Sequence, residues 1–271
     1  MNGQNDEPLA QPLAGRHIAI TRAPEQAQTL AHALEALGAR VTVLSTITIH
    51  PLDDPSALDA ALKTLSEYDW IVLTSANGVR AVADRLIALH RPWETRGRAR
   101  VAVIGPATAK ALEAYGVKAD LMPDEYVAES IVESLGNVAG QRILLARADI
   151  ARKTLAEELR LRGAEVDEVA AYRTESLPLA PAALDNVLRR KPADAITFTS
   201  SSTADGLMRS LRQAGMEPAE TLKNITICAI GPITAATLRE YGIAPDVVAE
   251  TYTIPGMVAA LSAYFMARAS A

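Results

Sequence analysis

Short apolar runs rich in β-branched residues alternate along the whole chain with stretches whose apolar positions recur every three or four residues. The runs predict strands at His17–Thr21, Val41–Leu44, Trp70–Thr74 and Val101–Ile104, a short one near Leu121, and a second set about 125 residues later. The helical spacing predicts helices at about Glu25–Leu37, Asn77–Leu89, Pro106–Tyr115 and Val127–Leu135, with counterparts in the second half. Gly38, Gly116, Gly163 and Gly242 fall just past helix ends, where a left-handed residue closes the last turn. Pro106 and Pro232 fall in first turns, where a missing N–H costs nothing. Strands alternating with helices imply parallel sheets built by right-handed crossovers.

The pattern is a duplication. GRHIAITRA (Gly15–Ala23) returns as GQRILLARA (Gly140–Ala148), 125 residues on, and TLAHALEALGARV (Thr29–Val41) as TLAEELRLRGAEV (Thr154–Val166). YDWIVLTSANG (Tyr68–Gly78) aligns with ADAITFTSSST (Ala193–Thr203) at the same offset. ARVAVIGPATAKALEAYGV (Ala99–Val117) aligns with ITICAIGPITAATLREYGI (Ile225–Ile243), Gly105 and Gly231 now lying 126 apart. Tyr126 and Tyr252 close the two series. Each copy has elements for one sheet of about five strands. Thr46–Leu52 and Val169–Ser176 extend the second strand of each copy beyond its helix-flanked length. They are either ordinary connections or crossing points between lobes, able to pair as a two-stranded ladder.

Composition narrows this picture. The 271 residues are 49% hydrophobic and 22% charged, which excludes a disordered chain. Aromatics make up only 4%, so the core is built from Ala, Val, Ile and Leu, as in parallel sheets covered by helices. A net charge of −5 argues against non-specific nucleic-acid binding. The single cysteine, Cys228, excludes a disulfide framework and a cysteine-based structural metal site, and its place within ITICAI reads as a small buried hydrophobe. No run approaches ~18 apolar residues, so no membrane span is expected. The polar N-terminus lacks the regions of a signal peptide. Residues 1–14 read as a disordered tail and the protein as cytoplasmic.

Strong catalytic signatures are absent: no GxGxxG after a strand, no GxxxxGK[ST], no GxSxG and no HExxH. The four histidines show no ligand spacing, and His32 reads as a solvated helix residue. Nothing calls for a metal or cofactor. Four strand-to-helix turns rich in hydroxyls or glycine do recur: Thr74-Ser75-Ala76-Asn77, Thr199-Ser200-Ser201-Ser202, Gly105-Pro106-Ala107-Thr108 and Gly231-Pro232-Ile233-Thr234. In an open parallel sheet, ligands bind beyond the carboxyl ends of the strands, where these turns fall. Free N–H groups and the helix dipole suit a carboxylate or phosphate there. Ser, Thr and Asn are also preferred simply as N-caps, and that reading suffices for any one turn; four turns matched across two copies favour a ligand. Arg22 and Arg147 end the first strand of each copy, placed either to meet an anion or to lie on the surface. Tyr172 stands where the first copy has Ile47, as a packing residue or a point of asymmetric function. Trp70 and Trp93 read as packing residues.

Taken in order, the segments ITRAPEQAQTLAHALEALGARV, DWIVLTSANGV, VAVIGPATAKAL, LLARADIARKTLAEELRLRGAEV, ITFTSSSTADGL and ICAIGPITAATL resemble the uroporphyrinogen-III synthase family, from about Gly15 to Leu261. One departure is Ala23, where many members carry Pro; here Pro24 follows one place later. The resemblance implies two α/β lobes, each a parallel sheet flanked by helices, joined by a two-stranded antiparallel ladder, with the substrate cleft between them. It divides the chain as 16–45 with 177–271, and 53–170, with 46–52 and 169–176 as the ladder and hinge.

It also implies the reaction. Linear hydroxymethylbilane loses its hydroxyl to give an azafulvene, closes through a spiro intermediate, and reopens and recloses with ring D inverted. No cofactor is implied. Tyr172 matches the tyrosine implicated in the family as the acid for hydroxyl departure. Arg22, Thr74, Ser75, Asn77, Gly105, Thr108, Arg147, Thr199, Ser200, Ser201, Gly231 and Thr234 are the expected substrate-binding residues. A monomer is expected, with neither nucleic-acid nor membrane partners and room for transient contact with the preceding pathway enzyme. Two other classes compete: a two-lobed cytoplasmic small-molecule binding protein without catalysis, and a nucleotide-dependent enzyme, the latter lowered by the missing glycine fingerprint.

Overall fold

The computed structural model describes residues 11–125 and 128–269. The chain runs β1 (His17–Ile20), α1 (Pro24–Glu35), β2 (Arg40–Val43), β3 (Ile47–His50), α2 (Ser56–Lys63), β4 (Trp70–Leu73), α3 (Ala76–Ala88), β5 (Arg100–Val103), α4 (Pro106–Glu113), α5 (Ala128–Leu135) and β6 (Arg142–Ala148). It continues through α6 (Thr154–Leu161), β7 (Glu165–Ser176), α7 (Pro181–Asp185), β8 (Ala195–Phe198), α8 (Ser201–Gln213), α9 (Pro218–Leu222), β9 (Thr226–Ala229), α10 (Pro232–Glu240), β10 (Val247–Val248) and α11 (Ile254–Ala269).

Two five-stranded sheets form, in the orders β10-β9-β8-β1-β2 and β3-β7-β6-β4-β5. The pairs β1·β2, β1·β8, β8·β9, β9·β10, β4·β5, β4·β6 and β6·β7 are all parallel. The first sheet therefore takes β1 and β2 from the first repeat and β8–β10 from the second. The other takes β3, β4 and β5 from the first repeat and β6 and β7 from the second. Two compact units result, one reaching Thr48 and resuming at Ser176, the other spanning Ile49–Glu175. The chain passes from unit to unit within β3 and at the end of β7, which are neighbours in the second sheet.

Side-chain alternation explains why the central strands read as unbroken apolar runs: each sheet has a core on both faces. In the second unit Ile71, Leu73, Val101, Val103, Leu144 and Ala146 point into one core, while Trp70, Val72, Ala102, Ile143 and Leu145 point into the opposite one. The first unit does the same, with Ala19, Ile196, Phe198 and Ile227 on one face and Ile18, Ile20, Ala195 and Cys228 on the other. Cys228 is fully buried, and burial pushes its thiol up to about 12, which makes it inert. Trp70 and Trp93 are buried packing residues and His32 is exposed.

The amino edges are pinned by carboxylates absent from the sequence reading. Asp69 accepts the Arg142 N–H at 2.8 Å and its counterpart Asp194 accepts that of His17 at 2.7 Å. Asp120 and Asp246 do the same for Val101 and Ile227. Each ties a loop to the first or second residue of a neighbouring strand, fixing register at the end away from the hydroxyl turns. The expected glycines at helix ends, Gly38, Gly116, Gly163 and Gly242, all have positive φ.

The expectation of a disordered tail over 1–14 needs correction at its end. Leu13 is fully buried beside Ile18 and Leu34, and its N–H donates to the Leu37 carbonyl at 3.0 Å. An apolar side chain four residues ahead of β1 can plug that core. Residues 1–10 and Tyr126 lie outside the described residues. The strand expected near Leu121 is a single bridge to Ala102.

Candidate active site

Each hydroxyl or glycine turn follows a parallel strand, so within a unit the turns share one carboxyl edge. Across the second unit the order is Tyr172 on β7, Arg147 and Asp149 at the end of β6, Thr74, Ser75 and Asn77 after β4, and Gly105 and Thr108 after β5. The first unit presents Gly231 and Thr234 after β9, Thr199, Ser200 and Ser201 after β8, and Arg22 after β1.

Capping accounts for two of these hydroxyls. Ser75 has extended backbone and its Oγ accepts the Gly78 N–H at 3.0 Å. Ser200 accepts the Thr203 N–H at 3.3 Å, while Thr203 Oγ1 accepts the Ser200 N–H, a reciprocal capping box. Ser201 Oγ accepts from Thr237 Oγ1 at 2.8 Å.

Capping does not account for Thr108 and Thr234. They occupy equivalent first-turn positions of α4 and α10 and are 3% and 4% exposed. Among the described residues twelve polar or charged side chains are buried, and ten of them make a hydrogen bond to protein. Thr108 and Thr234 are the two that do not, although neither oxygen is sealed from solvent. A buried hydroxyl left open costs stability unless something outside the chain completes it. The two hydroxyls stand at matched helix N-termini, positions that favour an anion.

Tyr172 is held by β7's irregular edge. Register slips between Arg147 and Ala148, so that Ala148 faces Tyr172 and Ala171 is the extra residue. Asp149 N–H donates to the Tyr172 carbonyl at 3.0 Å, and Asp149 Oδ1 accepts the Thr174 N–H at 3.0 Å. The ring is buried, 8% exposed, and its hydroxyl lies 3.1 Å from Ser75 Oγ. Burial pushes the phenol above its ordinary value, hydrogen bonds from Ser75 and Asn77 pull it back, and the Asp149 charge adds to the rise. Tyr172 therefore stays protonated at neutral pH.

Arg147 is not placed to meet a substrate. It is 5% exposed and both its Nε, at 3.0 Å, and its terminal guanidinium nitrogen bond Glu168 Oε1. Its side chain shares the face of Ile143 and Leu145, so alternation carries it into the protein beneath α6. Arg22 stays half-buried at the edge, with Nε donating to Gln26 Oε1 at 3.1 Å. One contact escaped the sequence reading: the Tyr252 ring packs on Gly231, so that a Cβ there would lie 3.1 Å from it. No spacing signal marks that contact, because it joins the turn before α10 to the loop before α11.

Open cavities of about 560 and 550 Å³ lie elsewhere, one along β7 beside Tyr68 and Arg142, the other at the amino edge beside Arg16 and Asp194. No candidate residue lines either. Among the described residues no cluster of three or more His, Cys, Asp or Glu is placed to hold a metal, and no helix is long and apolar enough to cross a membrane.

Fold and site together define an α/β protein of two parallel-sheet units, each presenting helix N-termini and open hydroxyls at its carboxyl edge. Over residues 28–259 the chain matches the family described as "Uroporphyrinogen-III synthase HemD". It belongs to the uroporphyrinogen-III synthase family, the hydro-lyases of that step in tetrapyrrole biosynthesis. A uroporphyrinogen-III synthase of Synechococcus elongatus is 36% identical, over 93% of this chain and 96% of that one. A putative one from Methanothermobacter thermautotrophicus is 35% identical, over 90% and 97%. Among solved structures, a mutant uroporphyrinogen III synthase of Thermus thermophilus has the same fold, with a TM-score of 0.67 at 22% identity, covering 94% of this chain and 100% of that one. The two competing classes, binding protein and nucleotide-dependent enzyme, give way to this membership.

Proposed function

We propose that the chain takes hydroxymethylbilane as substrate, holds its carboxylates at the carboxyl edges of the two sheets, and protonates the departing hydroxyl from Tyr172. The observation that carries the binding reading is the matched pair of buried, unpartnered hydroxyls, Thr108 and Thr234. A carboxylate arriving at either one accepts from that hydroxyl and from the open first-turn N–H groups of the same helix, α4 or α10. Gly105 lets it approach the backbone, whereas the open side of Gly231 is already covered by the Tyr252 ring. The hydroxyls of Ser75 and Ser200 already serve as caps, so α3 and α8 contribute through the N–H groups those caps leave open, beside Thr74 and Thr199. Arg22 adds charge at the edge of the first unit.

Proton balance follows from Tyr172. Its proton leaves with the bilane hydroxyl as water while the pyrrole nitrogen supplies the electron pair, giving a cationic azafulvene. Closure at the substituted carbon of ring D gives the spiro intermediate, which fragments and recloses at the free carbon. The proton lost in that last closure restores the phenol. Uncatalysed closure gives the I isomer, so the protein's contribution is mainly a fixed pose, worth several powers of ten in effective molarity, together with fixed dipoles around the cation.

The test is to supply freshly generated hydroxymethylbilane and separate the oxidised porphyrin isomers. Isomer III is expected; isomer I alone, as without enzyme, overturns the reading. Tyr172→Phe should lower turnover by roughly a hundredfold if the acid contributes at the usual scale. Full turnover and isomer purity in that variant would leave Tyr172 only a packing role.

A further inference from the structure

We infer that Ser75 is a positioning residue for Tyr172, giving its own proton to the phenol oxygen so that the phenolic proton is turned away from Ser75 and towards the substrate. This rests on the reading of Tyr172 as the acid. Ser75 Oγ lies 3.1 Å from the Tyr172 hydroxyl and 3.0 Å from the Gly78 nitrogen, 97 residues separating serine from tyrosine. A hydroxyl has one proton and two lone pairs. Gly78 N–H, in the first turn of α3, occupies one lone pair of Ser75 and leaves its proton to give. An oxygen that accepts a hydrogen bond becomes a stronger donor, so the helix N–H primes Ser75 to donate onward. Were the phenol the donor instead, its proton would be held by Ser75 and withheld from the leaving hydroxyl.

The order Gly78 N–H to Ser75 to Tyr172 thus uses the helix cap to orient the acid. The same donation to the phenol oxygen stabilises the tyrosinate left after proton transfer, as does the Asn77 side chain. The first unit has the same cap at Ser200, but its second partner is Ser202 Oγ, at 2.9 Å. Two equivalent serines therefore cap equivalent helices, and only Ser75 has a tyrosine hydroxyl to orient.

The test uses the full chain and two substitutions. Ser75→Gly removes the hydroxyl while keeping a residue that serves well as an N-cap; Ser75→Thr keeps both cap and donor. The infrared C–O stretch of ring-labelled tyrosine, taken as wild type minus Tyr172→Phe, distinguishes a phenol that accepts a hydrogen bond from one that donates. An accepting signature is expected in the wild type and in Ser75→Thr, and a clearly weakened one in Ser75→Gly, where only the Asn77 side chain still donates. Turnover should fall roughly tenfold in Ser75→Gly with KM within about twofold, return in Ser75→Thr, and fall no further when Ser75→Gly is added to Tyr172→Phe. A donating signature in the wild type, or a rise in KM alone in Ser75→Gly, overturns the inference. If Tyr172→Phe keeps full turnover while the accepting signature stands, the acid reading fails and the catalytic meaning of Ser75 goes with it.

Discussion

Thr108 and Thr234 bury a hydroxyl without using it, so removing that hydroxyl should not unfold the protein. Thr108→Val or Thr234→Val is expected to change stability by less than about 0.5 kcal/mol and to raise KM for the bilane roughly tenfold, the value of one hydrogen bond to a charged group. Thr46 is the control: its Oγ1 donates to the Thr203 carbonyl at 2.9 Å, and Thr46→Val should cost about 1–3 kcal/mol in urea denaturation. Arg147 divides the other way. Arg147→Met leaves the Glu168 carboxylate only the more distant Arg160, 3.9 Å away, and should cost about 2 kcal/mol while leaving KM unchanged; a large rise in KM would return Arg147 to the binding set. Tyr68 gives a pH signature. Burial first, then its hydrogen bond to Asp167, pushes its phenol from 10.0 to about 12. The unfolded chain therefore loses this proton first, and the associated stability, full below pH 10, is lost as pH climbs towards 12. Urea midpoints measured through that window should fall less steeply in Tyr68→Phe. The residue types at the site were legible in the sequence, since hydroxyls at strand ends follow a repeat. Which hydroxyl is satisfied was not, because partners such as Thr46 and Thr203 lie 157 residues apart.

The two GP-x-T turns show how far an element can be read from its letters. Both begin their helices at the proline, as expected. Their glycines differ in backbone. Gly105 sits at φ 80 and ψ 157, a region that side chains all but exclude, whereas Gly231 is fully extended with Tyr252 packed on it. Gly105→Ala should therefore cost about 2 kcal/mol through the backbone alone, and Gly231→Ala less than about 1, through contact with a side chain able to shift. In a Tyr252→Ala background the cost at Gly231 should vanish and that at Gly105 remain, a double-mutant cycle read by chemical denaturation. The caps at Ser75 and Ser200 were legible for the same local reason that makes serine a good cap. The bulge that sets Tyr172 against Ala148 was not, since it arises only when β6 and β7 pair.

At the scale of the molecule, the duplication and the sheets divide the chain differently. Every buried side chain of the two cores around the second sheet comes from between Leu58 and Tyr172, a continuous stretch. Ile49–Glu175 expressed alone should accordingly fold, with a cooperative urea transition and protected amides in β4 and β6; a chain without either would mean the cores need more than their own residues. By itself the sequence determined the alternation of strand and helix, the burial of its apolar runs on both faces, the glycines that end its helices and the family to which it belongs. These follow from local chemistry: side-chain period, backbone freedom, capping preference. Tertiary structure decided that β1 pairs with β8 from the other repeat, that Arg147 turns inward to Glu168, that Ser75 meets Tyr172, and that Thr108 and Thr234 are left open. A hydrogen bond is complete only when its far partner arrives, and no local pattern records which distant residue that will be.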